Sequence, residues 1–149
     1  MHKDLIPLEA IHFIANVGLV GIEKGMFNES MVIFDAIVKM YPEDLNAKIL
    51  QGMGEVFMGK LVQGTQKLFE VLKQDPENDR AKAFVAVAMR LGQVDEEAKA
   101  LIQHLLQHAK DPDALSLAQE LQDSYKLEMK PQQLNAEQAG KVTKEAYVY

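Results

Sequence analysis

The stretch Gly18-Leu19-Val20-Gly21-Ile22-Glu23-Lys24-Gly25-Met26-Phe27 has a counterpart 34 residues on, where Gly52, Gly59 and Leu61 repeat Gly18, Gly25 and Phe27. Pro76 repeats Pro42 by the same step. A fixed step of that size is the period of a unit of two helices joined by a short turn. One such pair cannot bury its apolar stripe alone, so successive pairs must stack to build a continuous core. Gly25 and Gly59 stand where a helix stops, because glycine takes the left-handed conformation without side-chain cost. Phe27 and Leu61 then anchor the turn. Tyr41-Pro42-Glu43-Asp44 and Asp75-Pro76-Glu77-Asn78 end the second helix of each pair, since proline disfavours helix at the preceding residue and has no amide hydrogen.

On these landmarks the chain resembles the tetratricopeptide repeat family. Unit one matches the family pattern at Ile14, Val17, Gly18, Gly25, Phe34 and Pro42, with Ser30 at a small-residue position. Unit two matches at Gly52, Gly59, Gly64, Leu68 and Pro76. A third unit runs from Ala81 through Phe84, Ala88, Gly92, Ala98 and Ile102 to Pro112, which falls 36 residues after Pro76. An irregular turn or second helix is expected there. The resemblance covers residues 10–112, and Asp113 to Met129 adds an amphipathic helix as the polar cap that a stack needs at its open end. It implies an all-α fold: a tetratricopeptide-like repeat of antiparallel helix pairs, about three units plus a C-terminal capping helix. The expected organisation is a lead-in over 1–9, the helical domain over 10–129, and a polar tail over 130–149.

Two registers are open for the first helix of unit two. Ile49, Leu50, Met53, Val56 and Phe57 share one helical arc, while Lys48, Gln51 and Glu55 fall where the turn-anchored register assigns the core. Sliding the helix by two residues restores the family motif as Leu50, Met53, Gly54 and Phe57, and unit three follows as Phe84, Val87, Ala88 and Leu91. Under the first register the apolar arc faces a concave groove. Under the second it packs inside and the groove is more polar.

Composition narrows the function classes. A chain of 149 residues that is 48% apolar forms one domain with an adequate core, and its net charge of −6 without a basic stripe suits neither nucleic acid nor an anionic membrane. The absence of cysteine removes disulfides and thiolate metal sites and suits a reducing compartment. An acid and a proline interrupt Met1-His2-Lys3-Asp4-Leu5-Ile6-Pro7, so a secretory signal is not expected and the default address is the cytoplasm. The most apolar stretch, Ile11 to Ile22, is shorter than the roughly 20 residues that span a bilayer.

That stretch is apolar nearly all round, with only His12 and Asn16 polar. A helix of this kind is covered on every side, yet the first helix of a stack has a neighbour on one flank only. A second copy, the chain's own termini or a separate apolar partner would complete the cover. An amphipathic helix laid in a groove read by methionine and branched side chains is the expected mode of recognition. The expected partner contacts are Leu19, Ile22, Ile49, Met53, Val56, Phe57 and Val87. His12 is expected to be a structural histidine.

Other chemistries are weakly represented. A chaperone-tail carboxylate clamp would need cations at Ala15, Leu19, Leu50, Arg80 and Phe84, and only Arg80 supplies one. Gly54 to Lys60 has phosphate-loop spacing, but Leu61 stands where a hydroxyl must hold magnesium. His104 and His108 lie four apart as zinc ligands can, without a third ligand in evidence. Asp95-Glu96-Glu97 complement a helix dipole. No enzymatic activity, cofactor or metal is therefore expected. The tail after Lys130-Pro131 lacks an apolar stripe and is expected to be disordered, apart from Ala146-Tyr147-Val148-Tyr149, which could dock on the first helix or a partner.

Size, acidity, divergent units and an apolar first helix are similar to the small tetratricopeptide chaperones of bacterial type III secretion systems, notably those that hold the needle subunit. The resemblance implies a cytoplasmic chaperone that sequesters an apolar helical segment of a secreted subunit, with a small helical co-chaperone in some cases. A self-associating adaptor without a secretion role is the alternative.

Overall fold

A computed structural model describes residues 6–129. Seven helices follow one another among them: α1 (Leu8–Glu23), α2 (Phe27–Met40), α3 (Leu45–Phe57), α4 (Leu61–Gln74), α5 (Asp79–Leu91), α6 (Asp95–His108) and α7 (Pro112–Met129). The odd-numbered helices α1, α3 and α5 end at Glu23, Phe57 and Leu91, and α2, α4 and α6 span the same positions of successive units, each displaced by the 34-residue period. The polar tail, its terminal aromatics and His2 lie outside the described residues.

Each unit's turn closes the same way. Gly25 and Gly59 take positive φ of 76° and 82°, and the amides of Met26 and Lys60 reach back to the carbonyls of Gly21 and Glu55 at 2.8 and 2.9 Å. This is the paired bonding that satisfies the last carbonyls of a helix. Unit three repeats it with Val94 bonded to Met89 at 2.9 Å, but Gln93, not Gly92, holds the left-handed position at φ 62°. Gly92 is the residue before, at an ordinary negative φ. At the other end, the side chains of Asp44 and Asn78 accept from the amides of Asn46 and Ala81, capping α3 and α5.

The irregularity expected in the turn or second helix of unit three lies elsewhere. α6 keeps its 34-residue register, and the two extra residues sit in the loop before Pro112. Asp79 on α5 holds that loop by accepting from the amides of Lys110 (2.7 Å) and Asp111 (3.1 Å). Asp111 in turn accepts from the Asp113 amide and starts α7.

The core is periodic too. Phe34, Leu68 and Ile102 are buried at one position of the unit, and Ile37, Val71 and Leu105 at another. Ser30, Gly64 and Ala98 occupy a third, where the helices of a pair cross closely. A Cβ on Gly18 would meet the Phe34 ring, and one on Gly52 would meet Gly64 and Leu68, so the small residues mark the crossing points.

These crossings settle the register of α3 as the turn-anchored one. Two of the polar residues it assigns to the interior find partners there: Gln51 donates to Asp35 on α2 at 2.7 Å, and Glu55 pairs through Oε1 with Lys67 on α4, while its Oε2 is buried without a hydrogen-bond partner. The apolar arc nevertheless points inward at Ile49, Met53 and Val56, because α3 is flanked by α2, α4 and α5 and is covered on nearly every side. Among the described residues no helix is long and apolar enough to cross a membrane.

Candidate functional site

Two apolar surfaces are left over by the stack. The first is a groove of about 1120 Å³ between the α1–α2 turn and α7. Its floor is made by the C-terminal ends of α3 and α5, through Val56, Phe57, Val87 and Leu91, with Leu61 from the start of α4. Leu117, Leu121 and Leu127 line the α7 wall, and Met26 and Phe27 the opposite one. Met26 and Leu127 are exposed at the rim. Glu29 and Glu120 stand on opposite walls, so the rim carries negative charge on both sides.

The wall formed by α7 is fixed by a polar cluster. Arg90 is buried at the groove floor, donates from Nε to Ser124 Oγ at 3.1 Å, and lies 4.0 Å from the centre of the Tyr125 ring. Ser124 donates onward to the Leu121 carbonyl, and the Tyr125 hydroxyl donates to Asp95 at 2.8 Å. Burial raises the Tyr125 phenol well above its ordinary value; the hydrogen bond to Asp95 and that carboxylate's charge add to the rise, while Arg90 opposes it. The cluster thus joins α7 to α5 and to the first turn of α6.

Seven residues were expected to contact a partner. Val56, Phe57 and Val87 lie along the groove, but Val56 is only 1% exposed and belongs to the core. Ile49 and Met53 are corrected: at 0% and 3% exposure they are core, consumed by the neighbours on both flanks of a middle helix. Leu19 and Ile22 are half-buried on α1 and do not line the groove. The polar-cap reading of α7 also changes, since its leucines form a groove wall. Leu117 and Leu121 lie four apart, on one helical face, and that spacing was the available signal.

The second surface is on α1. Phe13, Val17 and Val20 are 69%, 47% and 52% exposed, so the leading helix carries an uncovered apolar stripe. His12, expected to be structural, is exposed beside it.

The remaining candidates have structural employment. Arg80 is drawn to Asp113 at 3.2 Å and Asp111 at 3.4 Å, at the α7 entry and away from the groove. Gly54 lies inside α3, where a Cβ would strike Met31 and Phe34, so helix packing accounts for it. The His104 and His108 rings lie 4.9 Å apart, and His104 Nε2 is 3.4 Å from Lys82 Nζ. Among the described residues no group of three His, Cys, Asp or Glu side chains could hold a metal ion.

Comparison with known proteins agrees with this architecture. The chain is similar in structure to the tetratricopeptide domain of Arabidopsis OM64, with a TM-score of 0.57 and 16% identity over 77% of this chain and 96% of that one. At that identity the likeness establishes the fold, a tetratricopeptide-like helical repeat. No curated protein matches the sequence. The family model described as bacterial type III secretion protein (HrpB1_HrpK) matches residues 1–127, from the lead-in to the last groove residue of α7. The chain belongs to the HrpB1_HrpK family of bacterial type III secretion proteins.

Proposed function

We propose that this secretion protein is a non-enzymatic chaperone that sequesters an apolar helical segment of a partner, a type III secretion needle subunit, in the cytoplasm. The observation that carries the reading is the 1120 Å³ groove with an apolar floor and two apolar walls. It exceeds the roughly 300–1,000 Å³ of small-molecule pockets, and an apolar groove is the kind of surface into which an amphipathic helix lays its apolar face. Glu29 and Glu120 on opposite rims favour a guest whose apolar face is flanked by Lys or Arg. Covering the guest's apolar face removes the surface that would drive its premature assembly, and each large apolar side chain seated in the groove contributes about 1.5–3 kcal/mol.

The expected contacts are Phe57 and Val87 from the floor, joined by Leu91, Leu121 and the rim residues Met26 and Leu127. The test is co-expression with a type III secretion needle subunit from the same organism, followed by pull-down and light scattering. The parent chain should yield a soluble complex. A Met26→Glu/Leu127→Glu variant should weaken capture about tenfold or more with helix content unchanged, because both side chains are exposed and bear no core load. Capture that is indifferent to these substitutions refutes the groove as the binding surface.

A further inference from the structure

The stripe on α1 occupies positions that the rest of the stack covers. One and two periods on, Phe13 corresponds to Ala47 and Ala81, Val17 to Gln51 and Val85, and Val20 to Gly54 and Ala88. Ala47, Ala81, Val85, Gly54 and Ala88 are all buried, and Gln51 is engaged with Asp35 on the preceding helix pair. A Cβ on Gly54 would strike Met31 and Phe34 of that same pair. The interior logic of the repeat therefore places a helix against this face of α1, and none of helices α2 to α7 covers it, since Phe13, Val17 and Val20 remain exposed.

The charges around the stripe indicate which helix. Glu9, Phe13, Val17, Val20 and Lys24 follow one another at intervals of three or four residues, so they share one face. All five are exposed. The order is symmetric about the point between Asn16 and Val17: Phe13 mirrors Val20, and the acid Glu9 mirrors the base Lys24. A stripe with this symmetry is complementary to itself when two copies run antiparallel, which is the requirement of an isologous two-fold contact.

We propose that α1 pairs with α1 of a second copy, antiparallel about a two-fold axis near Asn16 and Val17. Phe13 packs on the second copy's Val20, Val17 meets its own counterpart across the axis, and Glu9 pairs with the second copy's Lys24 at each end. A 16-residue helix is about 24 Å long, so the contact is smaller than the roughly 1,200–2,000 Å² of a tight complex and the dimer is reversible, in the micromolar range. No residue of α1 itself lines the groove, which begins at Gly25 beside Lys24.

Sedimentation velocity of the full chain from about 1 to 200 μM tests this. A concentration-dependent dimer is expected, with dissociation at least tenfold easier in Phe13→Glu or Val20→Glu. Val32→Glu, on an exposed α2 position outside the stripe, should leave association unchanged. Glu9→Lys alone and Lys24→Glu alone should each weaken the dimer about threefold or more by opposing like charges, and the two together should restore it. Circular dichroism confirms that each variant is folded. A parent chain that is monomeric over the whole range overturns the proposal, whether its stripe is covered by its own tail or by a different protein. So does a dimer that Val32→Glu disrupts equally, or one that the double charge swap fails to restore.

Discussion

Gly64→Ala tests whether the repeat is held together as closely as its small residues indicate. A Cβ at Gly64 would stand 2.6 Å from the Gly52 carbonyl oxygen, 2.7 Å from Val56 Cγ2 and 2.9 Å from the Val56 amide nitrogen. Two of those three atoms are backbone, so no side-chain rotamer relieves the clash and α3 and α4 must separate by about 0.5–1 Å. A gap of that size forfeits a quarter to a half of the dispersion attraction across the crossing, where Ile49, Val56, Leu68 and Val71 form one core cluster. Overpacking of this kind costs about 1–3 kcal/mol. Alanine's greater helix propensity returns about 1 kcal/mol, which leaves a net loss of about 1 kcal/mol at the middle of that range. In a domain of this size the midpoint of thermal unfolding should fall by about 2–8 °C, read by circular dichroism. Gly52→Ala is the internal control. Its Cβ would meet Leu68 side-chain atoms at 3.2 and 3.3 Å and the Gly64 carbonyl at 3.1 Å, distances that a shift of a few tenths of an ångström relieves, so its midpoint should move far less. A Gly64→Ala protein as stable as the parent would refute the close α3–α4 crossing and, with it, the reason Ser30, Gly64 and Ala98 are small.

Two further outcomes follow from the third unit and from α7. Gln93 holds the left-handed position that glycine fills in the other two turns, at a cost of about 1–2 kcal/mol for a residue with a side chain. Gln93→Gly should therefore stabilise by about 0.5–1 kcal/mol after the entropy of the freer unfolded chain is deducted, and an unchanged or lower melting midpoint would show that the turn is unstrained. The Tyr125 phenol is raised in the folded protein above its ordinary value of about 10, so its contribution to stability is complete below about pH 10 and is lost as pH rises through the higher folded value. Tyrosinate absorbance should show one tyrosine titrating well after the others, and Tyr125→Phe should remove that late fraction at a cost of about 1–2 kcal/mol. A single titration step in the folded parent chain would contradict the Asp95 contact.

Legibility differed by the range over which the physics acts. The unit boundaries were readable at Gly25, Gly59, Pro42 and Pro76, because a helix stop and a proline exit are decided by the φ and the missing amide of one residue. Gln93 escaped notice because nothing local marks a glutamine as left-handed; only the geometry shared with two preceding turns puts it there. The groove was half legible. Phe57 and Val87 line it, yet Ile49, Met53 and Val56, from the same apolar arc as Phe57, are core. An arc on a middle helix has packed neighbours on both flanks, and which of its residues reach solvent depends on where those neighbours end. Phe57 reaches the groove because α3 stops there, while Ile49 lies a full two turns inside the stack.

By itself the sequence determined an all-α repeat of 34 residues, the glycine turns and proline exits of its first two units, and an excess of apolar surface on the first helix, since each of these is set by spacing along one chain. Tertiary structure alone decided that α7 is a wall and not merely a cap, through Arg90 gripping Ser124 and Tyr125 across 34 and 35 positions of sequence. It also decided that Glu55 and Gln51 could face inward, because Lys67 and Asp35 arrive from separate helices to pair with Glu55 Oε1 and the Gln51 amide. Contacts between residues remote in sequence have no local signature, and it is those contacts that divide apolar residues between core and binding surface.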